Sequence, residues 1–450
     1  MTAANVTSRS RAELHDLLGS RKIEHVVVLG ANGAMGYGSA ALFTTAVPKV
    51  TFLARSKDKA SEGLKAAVNA VRSSTVAMKA DVGDYDKDFD AAVGKADLIF
   101  EALTEDFDIK QKMFERIDRV RRPDSIVGTV TSGLSINALA EGRSESFRKN
   151  FLGIHFFNPP NVIVGTEVIP GKDTDKKLIE FVDAYCTKRL GRVMIRTADT
   201  PGFAGNRIGF KVLNEAAQLA EEYGPLLVDR VVGPYTGRAM TPLATIDLVG
   251  WDIHRAIVDN IYKNSNDEMH ATLKLPGYMA ELIAKGVLGN KSKGGFFKVE
   301  NKVKLVLEPK TGKYVPEADV KLPDLSYIKD VARLHHDGRY EEAMKVLVEA
   351  PGDYAALARK VVAGYISYAF NRVGEVTETI SGIDDIMGFG FNWAPPSVLV
   401  DTIGLKETVA MIEKAKLAVP SILAAAVKSG SPRRFYTSPF GNIGRYFVAG

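Results

Sequence analysis

Three glycines in one short stretch are the first residues whose spacing suggests chemistry. Gly30, Gly33 and Gly36 follow the apolar residues 26–29 and precede a run of small residues typical of a helix. At such a turn the backbone can approach a diphosphate closely, and the charge then rests on the free N–H groups of the helix N-terminus. The alternative is a tight strand-to-helix turn in another α/β protein. We predict a nucleotide-binding turn formed by Gly30, Asn32, Gly33, Ala34 and Met35.

Composition and charge exclude several other classes of function. The chain has 450 residues, a formal net charge of +5 and no block of basic residues, so we expect no nucleic-acid partner. No run approaches the roughly 18 apolar residues of a membrane span, and the polar N-terminus lacks the apolar segment of a targeting peptide. The single cysteine, Cys186, favours a reducing compartment, and we expect the cytoplasm. We expect no metal site, and we expect His335 and His336 at the surface of a polar turn.

The elements that must position the glycine turn alternate along the first half of the chain. Apolar runs at residues 26–29, 50–53, 75–78, 97–100 and 125–130 predict strands, and the segments between them predict helices. Two further β-rich runs flank residues 158–161, and a helix is expected over residues 175–190. This order is typical of a parallel, doubly wound sheet.

An internal repeat is found beyond the sheet. Residues 241–250 and 395–404 share a proline, an apolar run, an aspartate and a glycine in one register, and Asn206-Arg207 has a looser echo in Asn371-Arg372. Chance is the alternative to duplication of a helical domain. The predicted fold class is therefore α/β, with a Rossmann-like doubly wound sheet followed by two all-helical repeats. We predict a polar arm (1–22), a dinucleotide-binding domain (23–199), a first helical domain (200–300), a connector (301–350) and a second helical repeat (351–450).

The order of several motifs resembles that of the L-3-hydroxyacyl-CoA dehydrogenases. The motifs are the glycine turn, residues 101–105 with Lys110, residues 131–136, Gly-Ile-His-Phe-Phe-Asn-Pro at 153–159, Glu-Val-Ile at 167–169, and Asp-Thr-Pro-Gly-Phe at 199–203. Together they span residues 23–300. The duplicated helical domain resembles the arrangement in multifunctional β-oxidation proteins, although we expect no hydratase domain here.

The resemblance implies a catalytic histidine at His155 with Glu167 as its carboxylate partner. An imidazole can take up the proton of a 3-hydroxyl group near neutral pH, while hydride leaves C3 for a nicotinamide. Spacing alone does not pair the two residues, because a tight hairpin about residues 158–161 would place Val164 opposite His155. The alternative for a single histidine at the end of a strand is a structural role.

Four more site residues are implied by the same resemblance. Ser132 and Asn206 are expected to hold the substrate oxygen and the thioester carbonyl, although a turn serine and a helix-surface asparagine are the ordinary alternatives. Glu105 and Lys110 are expected near the nicotinamide ribose and the substrate, and the alternative for this pair is a solvated helix face.

The sequence departs from the family pattern in three places. The acidic residue that would bind the adenosine ribose 2′-hydroxyl is replaced by Ala54, followed by Arg55 and Ser56, so NADP is expected to be accepted beside NAD. Only about 20 residues separate Arg55 from the predicted third strand, which removes most of a helical hairpin that contacts CoA in the family. The stretch before Glu167 also lacks the usual lysine.

We therefore predict an NAD(P)-dependent 3-hydroxyacyl-CoA dehydrogenase that acts on an acyl-CoA-type substrate. The alternatives are a two-domain hydroxyacid dehydrogenase with a non-CoA substrate and a non-enzymatic nucleotide-binding structural protein. Because the second helical repeat could replace a dimer partner, we predict a monomer. Asn371 lies in a repeat without a Rossmann partner, so we expect no catalytic role for it.

Overall fold

The computed structural model describes residues 11–292, 294–431 and 434–436. The chain divides into two compact units. The first, here called the sheet unit, comprises the described residues up to Ala204 together with Glu375–Gly390. The second, the helical unit, comprises Gly205–Gly374 and the described residues from Phe391 onward.

The sheet unit is built on eight strands with helices between them. Strands β1–β6 form the parallel part, in the spatial order β3-β2-β1-β4-β5-β6, and β7 and β8 follow at one side with β7 antiparallel to β6. This order is that of a Rossmann sheet, with its crossover between β1 and β4. The strands are β1 (His25–Leu29), β2 (Lys49–Ala54), β3 (Ala80–Asp84), β4 (Leu98–Glu101), β5 (Ile126–Thr129), β6 (Phe151–Phe156), β7 (Gly165–Pro170) and β8 (Val193–Arg196).

The helices of the sheet unit cover both faces of the sheet and give it two cores. One core contains Phe43, Phe52 and Phe156, and the other contains Phe114 and Phe151. Because the parallel strands are buried on both faces, their sequences are continuous apolar runs. The helices are α1 (Arg11–Gly19), α2 (Ala34–Thr44), α3 (Lys57–Val71), α4 (Thr75–Met78), α5 (Phe89–Val93), α6 (Phe107–Val120), α7 (Ile136–Ala140), α8 (Glu145–Lys149) and α9 (Lys176–Arg189).

The predicted third strand at residues 75–78 is wrong. This segment is the single helical turn α4, in which only Val76 is buried and Met78 is 82% exposed. The strand lies just after it, because Val50 of β2 pairs with Ala80. A short apolar run does not distinguish a strand from a helical turn by periodicity.

The helical unit begins with five helices, continues through a small antiparallel sheet and ends with further helices. The first five helices are α10 (Gly205–Tyr223), α11 (Pro225–Val231), α12 (Pro242–Val249), α13 (Trp251–Asn264) and α14 (Gly277–Ala284). The small sheet has the strands β9 (Phe297–Glu300), β10 (Val303–Glu308) and β11 (Lys313–Pro316). The remaining helices of the chain are α15 (Ser326–His336), α16 (Tyr340–Glu349), α17 (Asp353–Asn371), α18 (Ile380–Phe389), α19 (Pro396–Ile403), α20 (Leu405–Lys414) and α21 (Ser421–Ser429).

The helices α10–α14 and α17–α21 follow one another in the same pattern, which agrees with a duplicated domain. In each set a 19-residue helix comes first, and a short helix that starts with proline ends at a glycine of positive φ, Gly250 or Gly404. The echo of Asn206-Arg207 in Asn371-Arg372 is not part of this match, since the first pair begins α10 and the second ends α17. At the level of sequence, the repeat therefore rests on residues 241–250 and 395–404.

One helix of the second set belongs to the sheet unit. Helix α18 packs against β7 and β8, and the Ala198 amide donates to the Val376 carbonyl over 2.9 Å. A Cβ on Gly165 would lie 2.6 Å from the Gly390 nitrogen, so the backbones approach closely here. The sheet unit thus extends beyond the contiguous residues 23–199 that the sequence analysis assigned to it.

The predicted exposure of the histidine pair holds only for His336. Both residues end α15, but the His335 ring is half-buried beside Tyr340, and burial lowers its pKa to about 4. Among the described residues no helix is long and apolar enough to cross a membrane. No cluster of potential metal ligands is found in the same part of the chain.

Candidate active site

Two of the glycines in the turn after β1 are required by the protein's own packing. Gly30 has φ of +73°, and a Cβ at this position would lie 2.3 Å from the Ala102 carbonyl oxygen. A Cβ on Gly36 would lie 2.1 Å from the Gly30 oxygen. Both positions exclude any larger residue, because the clashes are with backbone atoms. The turn is therefore held tightly between β1, β4 and α2.

Gly33 has no such packing requirement. Its φ is −80°, and the nearest atom to an added Cβ would be 3.5 Å away, which is an ordinary contact. No side chain caps the N-terminus of α2 at this residue, and Asn32, Gly33 and Ala34 are exposed, whereas Met35 is partly buried. An open, uncapped helix N-terminus with a glycine at its first turn suits the diphosphate of a dinucleotide. The residues present thus fit a nicotinamide dinucleotide.

The end of β2 presents a cation beside this turn. Arg55 follows the last residue of β2 and is exposed, and the Ser56 hydroxyl accepts a hydrogen bond from the Lys59 amide as the N-cap of α3. Tyr85, at the end of β3, accepts a hydrogen bond from the Gly30 amide over 2.8 Å. Burial raises the pKa of Tyr85 to about 12, so the phenol stays protonated. The sequence analysis missed Tyr85 because it placed the third strand at residues 75–78, whereas β3 ends just before Tyr85.

Glu101, at the end of β4, binds a lysine that the sequence analysis placed near the cofactor. Lys110 Nζ lies 2.7 Å from Glu101 Oε1 and 3.5 Å from Glu105 Oε2. The Lys110 side chain is completely buried, so the alternative of a solvated helix face does not hold for it. The Thr129 hydroxyl and the Leu103 amide also donate to Glu101. Through its contacts with Glu101 and Glu105, Lys110 therefore holds the first turn of α6 against the end of β4.

Glu105 and Ser132 are brought together at the same edge of the sheet. Glu105 Oε1 accepts hydrogen bonds from the Ser132 amide over 2.7 Å and from the Thr131 hydroxyl over 2.5 Å. Ser132 lies shortly after β5, and its side chain is partly exposed. Asp106 caps α6 by accepting from the Ile109 amide. The loops after β4 and β5 are thus joined through one carboxylate.

Asp199 of the Asp-Thr-Pro-Gly-Phe motif fixes the segment that follows Ser132. Its carboxylate accepts hydrogen bonds from the Ile136 and Asn137 amides and from the Ser135 hydroxyl, at 2.8 to 2.9 Å. This carboxylate satisfies the free amides at the N-terminus of α7. The two motifs at residues 131–136 and 199–203 are therefore parts of one structural arrangement.

His155 and Glu167 lie directly opposite each other on β6 and β7. They are paired in the antiparallel register, and His155 Nδ1 is 2.7 Å from Glu167 Oε2. His155 is 4% exposed and Glu167 is completely buried. The strands are joined by the loop of residues 157–164, which is longer than a tight hairpin and shifts the partner of His155 from Val164 to Glu167. The expectation from spacing alone is thus corrected.

The surroundings of this pair are aromatic on the side of the imidazole and polar behind the carboxylate. The rings of Phe157 and Phe203 lie with their centroids 4.8 and 5.8 Å from that of His155. Glu167 Oε1 accepts a hydrogen bond from the Ala204 amide over 2.9 Å. Both carboxylate oxygens are therefore occupied, which fixes the orientation of the Glu167 side chain and, through it, of the imidazole.

Asn206 belongs to the helical unit, where it is buried in the first turn of α10. Within the sheet unit, the structure brings together two groups of predicted site residues. One is His155 with Glu167, and the other is Glu105 with Ser132 and Lys110. The sequence analysis gave no role to Glu101, Tyr85 or Asp199. Glu101 and Asp199 stood within the recognised motifs, so a search for acceptors at the ends of strands and helices could have found them.

Comparisons with known proteins find relatives over most of the chain. Residues 25–200 match the NAD-binding domain of 3-hydroxyacyl-CoA dehydrogenase, and residues 202–299 match its C-terminal domain. A probable 3-hydroxyacyl-CoA dehydrogenase from Deinococcus radiodurans is 33% identical over 293 residues, which cover 62% of this chain and 83% of that protein. Another, from Bacillus subtilis, is 32% identical over 356 residues, which cover 78% of this chain and 44% of that protein. The chain therefore spans less than half the length of the B. subtilis relative.

A solved structure extends the likeness of fold to nearly the whole chain. The 3-hydroxybutyryl-CoA dehydrogenase from Escherichia coli K12 matches with a TM-score of 0.66 and 22% identity, covering 91% of this chain and 100% of that one. The glycine turn, the His155–Glu167 pair and the sequence matches over residues 25–299 lead to one conclusion. The chain belongs to the 3-hydroxyacyl-CoA dehydrogenase family.

Proposed function

We propose that this chain interconverts a 3-hydroxyacyl-CoA and a 3-ketoacyl-CoA by hydride transfer to or from a nicotinamide cofactor. The observation that carries the proposal is the 2.7 Å contact between His155 Nδ1 and Glu167 Oε2. Membership of the family and the names of the relatives support it. The two alternatives from the sequence analysis, a hydroxyacid dehydrogenase without CoA and a structural protein, have no comparable support.

The pair can act as a general acid and base. Since the Glu167 carboxylate accepts a hydrogen bond from Nδ1–H of His155, the lone pair of Nε2 is left to take up the proton of the substrate hydroxyl. The negative charge of Glu167 stabilises the imidazolium that forms, and the proton returns to the oxygen in the reverse direction. A bound nicotinamide would supply the acceptor for the hydride that leaves C3. Acid–base catalysis of this kind contributes roughly 10²- to 10⁴-fold.

Ser132 and Asn206 are proposed to hold the substrate oxygen and the thioester carbonyl. Ser132 is fixed through its amide by Glu105, as described above. Asn206 follows Ala204, whose amide binds Glu167, by two residues along the chain. The role of Asn206 is supported by its place within the match to the C-terminal family domain at residues 202–299.

The test is the absorbance at 340 nm when the purified chain is mixed with acetoacetyl-CoA and each reduced nicotinamide. We expect turnover by the unchanged chain and a loss of about 10²-fold or more in kcat for His155→Gln. NADH binding, followed by nucleotide fluorescence, should stay within twofold in this variant, because β4 and β5 separate β6, which carries His155, from β1 and its glycine turn. Turnover of free 3-hydroxybutyrate with no turnover of the thioester would instead support the substrate without CoA.

For the cofactor, we propose that NADP is accepted and that Arg55 binds its 2′-phosphate. Arg55 is exposed at the end of β2, and Ala54 occupies the place of the acid that would repel a phosphate. In Arg55→Ser we expect NADPH to bind about tenfold more weakly and NADH to bind unchanged, since a charge-assisted hydrogen bond is lost only with NADPH. Lys57→Ser, also exposed, is the matched control. At least tenfold tighter binding of NADH than NADPH by the unchanged chain would end the proposal.

We also propose that the chain is a monomer in the cytoplasm. Helices α10 and α17 of the two repeats pack against each other within the helical unit, as two copies of one domain would in a dimer. Light scattering should give a mass near 48.8 kDa, and a value near twice this mass would contradict the monomer. Support for a reducing compartment comes from the one cysteine, Cys186, which is buried and free.

A further inference from the structure

Helix α10 carries Asn206 in its first turn, and a buried polar cluster holds this turn against the second repeat. The cluster consists of Arg207 on α10, Asp267 after α13, and Tyr368 and Arg372 at the end of α17. All four belong to the helical unit. Arg207 is 1% exposed and Tyr368 is completely buried, so the cluster is shielded from water.

The Tyr368 hydroxyl is at the centre of the cluster. It accepts a hydrogen bond from Arg207 Nε over 2.7 Å and donates to Asp267 Oδ2 over 2.8 Å. Arg207 Nη2 also donates to Asp267 Oδ2, over 2.8 Å. The three groups therefore form a closed triangle in which the guanidinium of Arg207 is held at two nitrogens.

The second repeat also contributes an arginine to the cluster. Arg372 donates to Asp267 over 3.2 Å and to Glu268 over 2.7 Å, and its guanidinium lies 5.0 Å from the centre of the Tyr368 ring. Burial alone would raise the pKa of Asp267, but the hydrogen bonds from Arg207, Tyr368 and its own loop hold it below the ordinary value. Asp267 is therefore ionised, and two arginines from different repeats share it.

We infer that Tyr368 is a positioning residue of the active site, acting through Arg207 on Asn206. The inference rests on the proposed function, in which Asn206 orients the substrate. Arg207 is the next residue to Asn206 and its side chain cannot turn without breaking two hydrogen bonds in the triangle. The second repeat thereby supplies a group that fixes a proposed site residue of the first. Misplacement of a positioning group by about 1 Å can cost up to about 10²-fold in rate.

The test uses Tyr368→Phe, which removes the hydroxyl and keeps the ring. Tyr365→Phe is the matched control, because Tyr365 is on the same helix, is equally buried and donates its hydroxyl to the Ala394 carbonyl over 3.0 Å. We expect Tyr368→Phe to lower kcat for acetoacetyl-CoA reduction about tenfold. The Kd for NADH should stay within twofold, and Tyr365→Phe should keep kcat within twofold. The melting temperatures of both variants are measured to compare their loss of stability.

A double-mutant cycle separates positioning from a general structural role. In the background of Asn206→Ala, we expect Tyr368→Phe to have no further effect on kcat, because the residue through which it acts is gone. An equal loss of kcat in both backgrounds, or an unchanged kcat in Tyr368→Phe, would overturn the inference alone. If the unchanged chain binds NADH but turns over no 3-ketoacyl-CoA, the proposed function fails and the inference fails with it.

Discussion

The two helical repeats hold the same backbone arrangement with an equivalent carboxylate but differ in what surrounds it. Asp247 of the first repeat accepts hydrogen bonds from the Phe296 and Phe297 amides at 2.9 and 3.0 Å. Asp401 of the second accepts from the Phe435 and Tyr436 amides, both at 2.8 Å. In each repeat, an aspartate near the end of a short helix binds two successive amides of a segment that returns to it.

The difference lies in the residues added to this arrangement. Asp247 also accepts from the Trp251 indole over 2.7 Å, whereas the equivalent place after Gly404 is taken by Leu405, which has no side-chain donor. At the start of the long helix, the first repeat has Asn206 and the second has Tyr354. The comparison teaches that the second repeat has kept the backbone scaffold of a helical domain without the residues proposed to carry chemistry.

The largest effect is expected from removing the two aspartates. Asp247→Ala leaves three donors without an acceptor and should lower the free energy of unfolding by at least about 3 kcal/mol. Asp401→Ala leaves two donors without an acceptor in a more exposed place, so the loss of unfolding free energy should be about half as large. Both tryptophans, Trp251 and Trp393, belong to the helical unit, so tryptophan fluorescence in urea reports on it. Equal losses would show that the indole contact adds nothing.

The second prediction concerns catalysis. Asn206→Ala should lower kcat by about 10²-fold, the effect of losing one hydrogen-bond donor to a reacting oxygen. Tyr354→Ala, at the matching place of the second repeat, should leave kcat within twofold. Steady-state kinetics with acetoacetyl-CoA measures both. A comparable loss in the two variants would contradict the division of roles between the repeats.

The third prediction concerns pH and compares His254 with Thr408, which are both buried near the start of corresponding helices. Burial lowers the pKa of His254 to about 3, whereas in the unfolded chain this imidazole takes up a proton near its ordinary pKa of 6.5. The unfolded state therefore binds more protons between these values, and stability falls as the pH decreases from 6.5 towards 3. At pH 5 the lowered pKa of His254 therefore reduces the free energy of unfolding by about 2 kcal/mol.

The variant His254→Gln should lose this dependence. The difference in unfolding free energy between pH 7 and pH 5 is measured in urea and compared with that of the unchanged chain and of Thr408→Val. Burial raises the pKa of Asp229 to about 7, and this group acts in the opposite direction, so only the difference between variants isolates His254. A variant with the same pH dependence as the unchanged chain would refute the assignment.

The smallest difference is expected between the two glycines that follow the short helices. Gly250 and Gly404 have φ of +100° and +106°. Residues with a side chain adopt this backbone conformation only with strain. Alanine at either position should cost about 1–3 kcal/mol in unfolding free energy, from backbone strain. The two losses should agree within about 0.5 kcal/mol, because the additional contacts involve side-chain atoms of Lys291, Asp252 and Glu407 that can move away. Clearly unequal losses would show that the repeats differ in backbone as well as in side chains.

Much of the sheet unit and the position of the proposed acid–base histidine could be predicted from the sequence. The segment between the fourth and fifth predicted strands forms helix α6 as expected, because Asp106 caps its start and Phe114 and Ile117 bury its inner face. The glycine turn could be predicted for a similar reason, since strand, turn and helix are adjacent in sequence. The turn at residues 75–78 could not, because four residues contain too little periodicity to separate a strand from a helix.

The sequence by itself determined the order of elements, the glycine turn and the presence of His155 within a specific string, because each depends on neighbours along the chain. Only the tertiary structure decided the partner of His155, since the register of β6 and β7 depends on how the loop of residues 157–164 folds. It also decided that Lys110 is buried on Glu101, that α18 joins the sheet unit, and that Tyr368 holds Arg207. These contacts join residues far apart in sequence, and side-chain packing in three dimensions selects them.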